Sequence, residues 1–247
     1  MFGFCNMIEG GRKKLLTQLL TSDYKFPGIT YTQSGNLTYF DSTGTLQTAA
    51  VDTMVRDYDP STLVLRGYPF WQASTNLCLW SEDLTNAAWT KTNCTITSNS
   101  TVAPDGTTTA DTIVPAASSA FHGVLQTATV TASAAYTASA FIKAGGAPFV
   151  QIAFDDGSSN GAFMNVNTAT GAITRGPEAA GTGTAPTGGV QACQSGYFRI
   201  NVGATKGTTN GRIIISPLPA GQSLAGMNPT VTTAASDTVI AWGIGIE

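Results

Sequence analysis

Charge is scarce in this sequence. Only 11% of its 247 residues are Asp, Glu, Lys or Arg, against roughly 25% in ordinary soluble proteins, and the net charge is −3. A chain so poor in Lys and Arg has little with which to neutralise phosphates, so nucleic acid is not an expected partner. Histidine is scarcer still, His122 being the only one. With one His, and with Cys5, Cys78, Cys94 and Cys193 in no CxxC spacing, a zinc centre is not expected and at most one Ser-His-Asp site could be assembled. The cysteines are too sparse for a disulfide-stapled scaffold and read as buried free thiols. No apolar run approaches the roughly 20 residues of a membrane helix, and residues 1–9 lack the basic-then-apolar order of a secretion signal. The chain therefore reads as soluble, with no membrane partner. The Asn-X-Thr triplets at Asn36, Asn93 and Asn99 then read as chance matches in a Thr-rich chain.

Catalytic signatures are also missing. Neither GxxxxGK[ST] nor GxGxxG occurs, so no phosphate cradle and no nucleotide cofactor is expected. Residues 157–161, Gly-Ser-Ser-Asn-Gly, spell a GxSxG elbow but join two strand-like runs with no helix after the Ser, which reads as a hairpin turn. Asp155-Asp156-Gly157 and Asp57-Tyr58-Asp59 are ordinary turn compositions before they are calcium ligands or paired catalytic acids. The expectation is a protein with no catalytic residues, no metal and no cofactor.

What is present is β-forming sequence with one helical exception. Leu15, Leu16, Leu19 and Leu20 fall on one face of about two helical turns, preceded by the basic cluster Arg12, Lys13 and Lys14. Those cations stand near the positive end of the helix dipole, where they do not help the helix, so they are candidates for docking on a partner surface. From residue 26 the texture turns to strands. Residues 29–32 and 37–40 flank Ser34-Gly35-Asn36 as a hairpin would, and Asp41 to Gly44 form a second turn. Later, Phe198, Ile200 and Val202 alternate with polar residues. In residues 239–246 strict alternation places Ile240, Trp242, Ile244 and Ile246 on one face and Val239, Ala241, Gly243 and Gly245 on the other. Residues 176–189, rich in Gly, Pro, Thr and Ala, read as a long exposed loop. About eight strands with Gly, Pro and Asn punctuation predict an all-β, jelly-roll β-sandwich. The organisation expected is an N-terminal arm with an amphipathic helix over 1–25, a β-hairpin-rich connector over 26–75 and a jelly-roll domain over 76–247.

Trp71, Trp80, Trp89 and Trp242, with Tyr68 and Tyr197, are the residues able to stack on sugar rings. Trp242 lies in an apolar strand and reads as core. Tyr68 and Trp71 stand in the less regular Tyr68-Pro69-Phe70-Trp71 and are the better glycan-binding candidates.

The segment Leu65-Arg66-Gly67, followed by Thr75-Asn76-Leu77-Cys78-Leu79-Trp80-Ser81-Glu82-Asp83-Leu84 and Asn86-Ala87-Ala88-Trp89-Thr90-Lys91, resembles a recurring element of phage head-spike, head-fibre and tail-fibre-associated proteins. Tyr39 to Gly44, Asp57 to Pro60, Ala103 to Asp111 and the final Trp242-Gly243-Ile244-Gly245-Ile246-Glu247 are similar to the same family. The resemblance spans roughly residues 30–247 and leaves the helical arm outside it. It implies a carbohydrate-binding-module-like jelly roll on a virion, assembled as a homo-oligomer, for which a trimer is the first expectation. The leading expectation is a structural protein that decorates the capsid or forms a short head fibre, bound to other virion proteins through Arg12, Lys13, Lys14, Leu15, Leu16, Leu19 and Leu20. The second is a tail- or neck-attached module that binds host surface glycan during adsorption. A polysaccharide depolymerase is the weakest reading, because no pair of acids stands out.

Overall fold

The computed structural model describes residue 32, residues 35–69 and residues 74–247. The expected helical arm, the strand expected at 29–31 and Trp71 lie outside the described residues.

Two short hairpins lead into the main domain. The first pairs β1 (Leu37–Phe40) with β2 (Leu46–Ala49), and the second pairs β3 (Asp57–Tyr58) with β4 (Leu65–Gly67). Among the described residues the partner of residues 37–40 is the strand after the Asp41 turn, where the Asp41 carboxylate accepts the Thr43 and Thr45 amides and fixes the reversal. An irregular stretch, 74–89, precedes β5 (Thr90–Thr92), β6 (Cys94–Thr101), β7 (Ala110–Pro115), β8 (Ser119–Ala120) and β9 (Gly123–Thr129). The chain continues with β10 (Ala135–Ala144), β11 (Phe149–Asp155), β12 (Gly161–Asn167), β13 (Ile173–Ala180) and β14 (Thr184–Ala192). It ends with β15 (Tyr197–Thr205), β16 (Asn210–Leu218), β17 (Val231–Thr232) and β18 (Val239–Ile246).

Twelve of these strands form two six-stranded antiparallel sheets, more than the number read from the sequence. The front sheet has the order β14-β15-β10-β18-β7-β6 and the back sheet β13-β12-β11-β16-β9-β5. The chain changes sheet repeatedly, as between β9 and β10, β10 and β11, and β15 and β16, in a jelly-roll sandwich. Among the described residues the only helix is the single 3-10 turn Gln194–Gly196.

The period of two sorts each strand. Ala138, Ala140 and Ile142 of β10 and Ile200 and Val202 of β15 face Val150, Ile152 and Phe154 of β11 and Ile213 and Ile215 of β16 in one continuous core. Each large side chain buried there stabilises by about 1.5–3 kcal/mol. Two expectations fail. Residues 176–189 are not a loop: they supply most of β13, the start of β14 and the turn between them, in which Gly181 takes φ +56°. These strands lie at the edges of their sheets and are largely exposed, so they lack the apolar alternation that marks a half-buried strand, and an edge accommodates Pro177. In β18 the alternation breaks at Gly243, whose φ is +57°. The pairing register with β10 shifts there, so Val239, Ala241, Ile244 and Ile246 all enter the main core, while Trp242, with Ile240 against it, packs on the opposite face.

That opposite face is partly roofed by the first hairpin. Phe40 meets Phe141 edge-on at 6.4 Å, and Phe141 lies 5.6 Å from Trp242. On the back sheet, residues 219–230 cross the outer surface as a strap. Met227 covers Ala153, Phe163 and Ile214. Gln151 and Asn165 hold the strap by donating to the carbonyls of Gly226, Ser223 and Ala225 and by accepting the Asn228 amide. At its end Asn228 donates to the fully buried Asp155, whose two oxygens also receive the Arg212 guanidinium at 2.7 and 2.8 Å. Removing one partner from a buried ion pair leaves the other charge unmatched. Asp155→Ala is expected to lower unfolding free energy in urea by about 3 kcal/mol; an unchanged midpoint and slope would mean that Arg212 finds solvent without penalty.

Candidate functional site

The aromatic residues singled out above separate by burial. Trp89 is buried in the main core, Trp242 is buried under the first hairpin with its indole N–H donated to Thr109, and Tyr197 is buried with its hydroxyl donated to the Val102 carbonyl. Tyr68 is half-buried and accepts a hydrogen bond from Arg56. Trp71 and the candidate anchors Arg12, Lys13, Lys14, Leu15, Leu16, Leu19 and Leu20 lie outside the described residues. That leaves Trp80, which is 60% exposed.

Its exposure is built in by the segment around it. β7 pairs with β18 only along residues 239–241, and residues 76–81 take the place beside the remainder. Leu77 donates to the Ile246 carbonyl, Ile244 donates to the Ser81 carbonyl, and the Asn76 side chain accepts the Ile246 amide. From the other sheet the Gln126 amide accepts the Leu79 N–H at 2.6 Å and donates to the Leu79 carbonyl at 2.9 Å. The Trp80 carbonyl receives the indole N–H of Trp89 at 2.9 Å. Every fixed point holds main chain, and Trp80 itself takes φ +55°. For a bulky L-residue this left-handed conformation costs roughly 1–2 kcal/mol. The Gln126 and Trp89 hydrogen bonds hold that conformation. Leu79 beside it is 64% exposed. Two residues on, partial desolvation and the charge of Asp105 push the Glu82 carboxyl above the ordinary range.

The second element is a depression on the outer face of the front sheet, lined by Thr137 and Ser139 of β10, Arg199 and Asn201 of β15, Gln191 of β14 and Glu247. Alternation places these polar side chains outward because Ala138, Ala140, Ile200 and Val202 point inward. Asn201 stands opposite Ser139, and Ser139 opposite Gly245. The Asn76 amide covers Gly245, where an added Cβ would lie 2.9 Å from its oxygen, and donates to the Ser81 hydroxyl at 2.7 Å. Asn76 and Ser81 thus adjoin the Gly245 edge of the face that carries the depression, and Ser81 follows Trp80 in sequence. Arg199 lies over the Phe141 ring at 5.7 Å.

Other chemistry-bearing groups are occupied structurally. His122 is buried, with Nδ1 at 2.9 Å from the Asn93 carbonyl and Nε2 at 3.0 Å from the Thr233 hydroxyl. The Thr233 hydroxyl donates to the Ala116 carbonyl at 2.6 Å. Ser159 lies in the tight turn between β11 and β12, where Asp156 accepts the Ser158 and Asn160 amides. Cys78, Cys94 and Cys193 are free, and burial pushes their thiols up to about 12, 11 and 11, which leaves them protonated at neutral pH.

No protein-family model and no curated protein sequence matches the chain. Among solved structures it is similar to TmCBM61 in complex with β-1,4-galactotriose, at 13% identity and a TM-score of 0.41, over 70% of this chain and 99% of that one. It is also similar to the CBM22-1-GH10 modules of endo-1,4-β-D-xylanase 10B of Clostridium thermocellum complexed with xylohexaose, at 12% identity and a TM-score of 0.35, over 65% of this chain and 26% of that one. These are likenesses of sandwich architecture.

The rigidity of the Trp80 mount is testable apart from any ligand. Gln126→Leu keeps the volume but leaves the Leu79 N–H and C=O without partners, and is expected to cost about 1–3 kcal/mol and to speed amide exchange at Leu79 by tenfold or more. Unchanged exchange would show that the Asn76 and Trp89 contacts suffice.

Proposed function

We propose that this chain is a non-catalytic carbohydrate-binding module of a bacteriophage particle that meets host surface glycan with Trp80 and the polar face beside it. The exposed indole of Trp80, held in a left-handed backbone conformation by hydrogen bonds from both sheets, carries this reading. Strained backbone that the surroundings over-determine is a mark of functional positions. A flat apolar ring next to hydroxyl and amide groups suits a pyranose, which offers an apolar face and a polar rim. The virion context rests on the sequence motifs 65–67 and 75–91, within which Trp80 falls.

Glycan binding by the full chain is expected to fall 10- to 100-fold in Trp80→Ala, equivalent to about 1.5–3 kcal/mol of lost apolar contact. The Tm is expected to stay level, because the indole is exposed and Ala keeps the Cβ on which the cost of the left-handed conformation depends. Equal binding by both proteins on a glycan array would overturn this assignment.

A second reading, a structural protein that decorates the capsid or forms a head fibre as a trimer anchored by its arm, draws support from the connector. Val51, Leu63 and Val64 are exposed there, Val64 to 63%, which suits burial against another subunit. Light scattering on the full chain is expected to give a trimer that Val64→Asp weakens; a monomer at all concentrations would remove the trimer from this reading.

A further inference from the structure

Resting on the glycan-binding reading above, we infer that the front-sheet depression selects a carboxylated sugar, with Arg199 as the residue that receives the carboxylate. The depression has two unlike ends. Rows of side chains across the sheet place Gln191, Arg199 and Phe141 abreast, then Asn201 and Ser139, then Gly203 and Thr137. Glu247 belongs with the last row, because its main chain exchanges both hydrogen bonds with Thr137. Arg199 and Gly203 are four residues apart on β15, so the cationic and anionic rows stand about 13 Å apart at the 3.3 Å rise of a strand. Between them the lining is hydroxyl and amide.

The cation at one end is free to act. Arg66 is paired with Asp59, Arg175 with Glu178 and Arg212 with Asp155. Arg199 has neither an ion pair nor a side-chain hydrogen bond among the described residues, and its one close partner is the Phe141 ring. That ring is itself fixed between Phe40 and Trp242. Stacking holds the guanidinium in place while leaving its five N–H donors for a ligand. A planar fork of donors matches the two oxygens of a carboxylate in a way that a neutral hydroxyl does not.

Glu247, at the far end, accepts hydrogen bonds from sugar hydroxyls and disfavours a second carboxylate there. The ligand class is therefore an acidic oligosaccharide in which a uronate unit lies in the Arg199 row and a hydroxyl-bearing neutral unit reaches the Glu247 row. Ser139 and Asn201 bond the units between.

The test uses the full chain and pairs of tetrasaccharides that differ only in charge: mixed neutral and uronate tetrasaccharides containing galacturonate, glucuronate or mannuronate, each beside its carboxyl-reduced counterpart. Titration calorimetry at low salt is expected to show at least one acidic member binding tenfold or more tightly than its reduced partner. Arg199→Gln is expected to narrow that gap to under twofold, and Arg199→Lys, which keeps the charge but loses the fork, to leave an intermediate gap. Circular dichroism and Tm confirm that both variants fold. If every pair binds within twofold while a glycan array still shows Trp80-dependent binding, the carboxylate inference falls and the glycan-binding reading stands. Absence of binding to any sugar overturns both.

Discussion

The paired hydrogen bonds between the Gln126 amide and the main chain of Leu79 do the work of a missing strand. β7 leaves the second half of β18 without a strand on the side away from β10, and an irregular segment can lie there only if its peptide groups find partners. Asn76 and the β18 backbone satisfy it from the front sheet, while Gln126 satisfies it from the back. Once both sides are tied, the directions of its side chains are set. Cys78, Leu84 and Trp89 turn into the core, and Leu79 and Trp80 turn out. The same ties that close the sandwich therefore produce its one large exposed aromatic surface among the described residues.

The two outer faces have been treated differently by the chain. On the back sheet the polar residues Gln151 and Asn165 are consumed in fastening the strap, and the apolar ones are covered by it. On the front sheet the apolar residues Phe141 and Trp242 are covered by the first hairpin, and the polar ones remain open. Asn201 donates to the Gly189 carbonyl and Gln191 lies against Arg66, while Thr137, Ser139, Arg199 and Glu247 make no side-chain hydrogen bond among the described residues.

Much of the sandwich was legible because period-two alternation is a direct consequence of strand geometry, as in Phe198 to Val202. It failed where the period carried no information. Residues 176–189 pair at exposed edges, so nothing selected apolar residues there. In β18 one glycine with positive φ reversed the faces, and Gly243 was read only as a small residue in an unbroken strand. Trp80 was among the aromatics named but not preferred over Tyr68 and Trp71, because its exposure depends on contacts with Gln126 and Trp89, 46 and 9 residues away in sequence. A signal was present nonetheless: two bulky apolar residues, Leu79 and Trp80, stand side by side ahead of a polar Ser-Glu-Asp turn, a pattern no half-buried strand requires. The depression was invisible, since its lining comes from three strands that only the fold brings abreast.

The strap of residues 219–230 makes the protein a vectorial part. With its carbonyls drawn down onto Gln151, Asn165 and Thr174, the strap covers the back sheet and leaves Leu224 outermost, while the polar side chains of the front sheet stay uncovered. A scaffold that gripped such a body by its strapped side or by an end would leave the uncovered front sheet facing outward. Copies arranged around a symmetry axis would then present their open faces in one common sense, like shingles laid from the same edge.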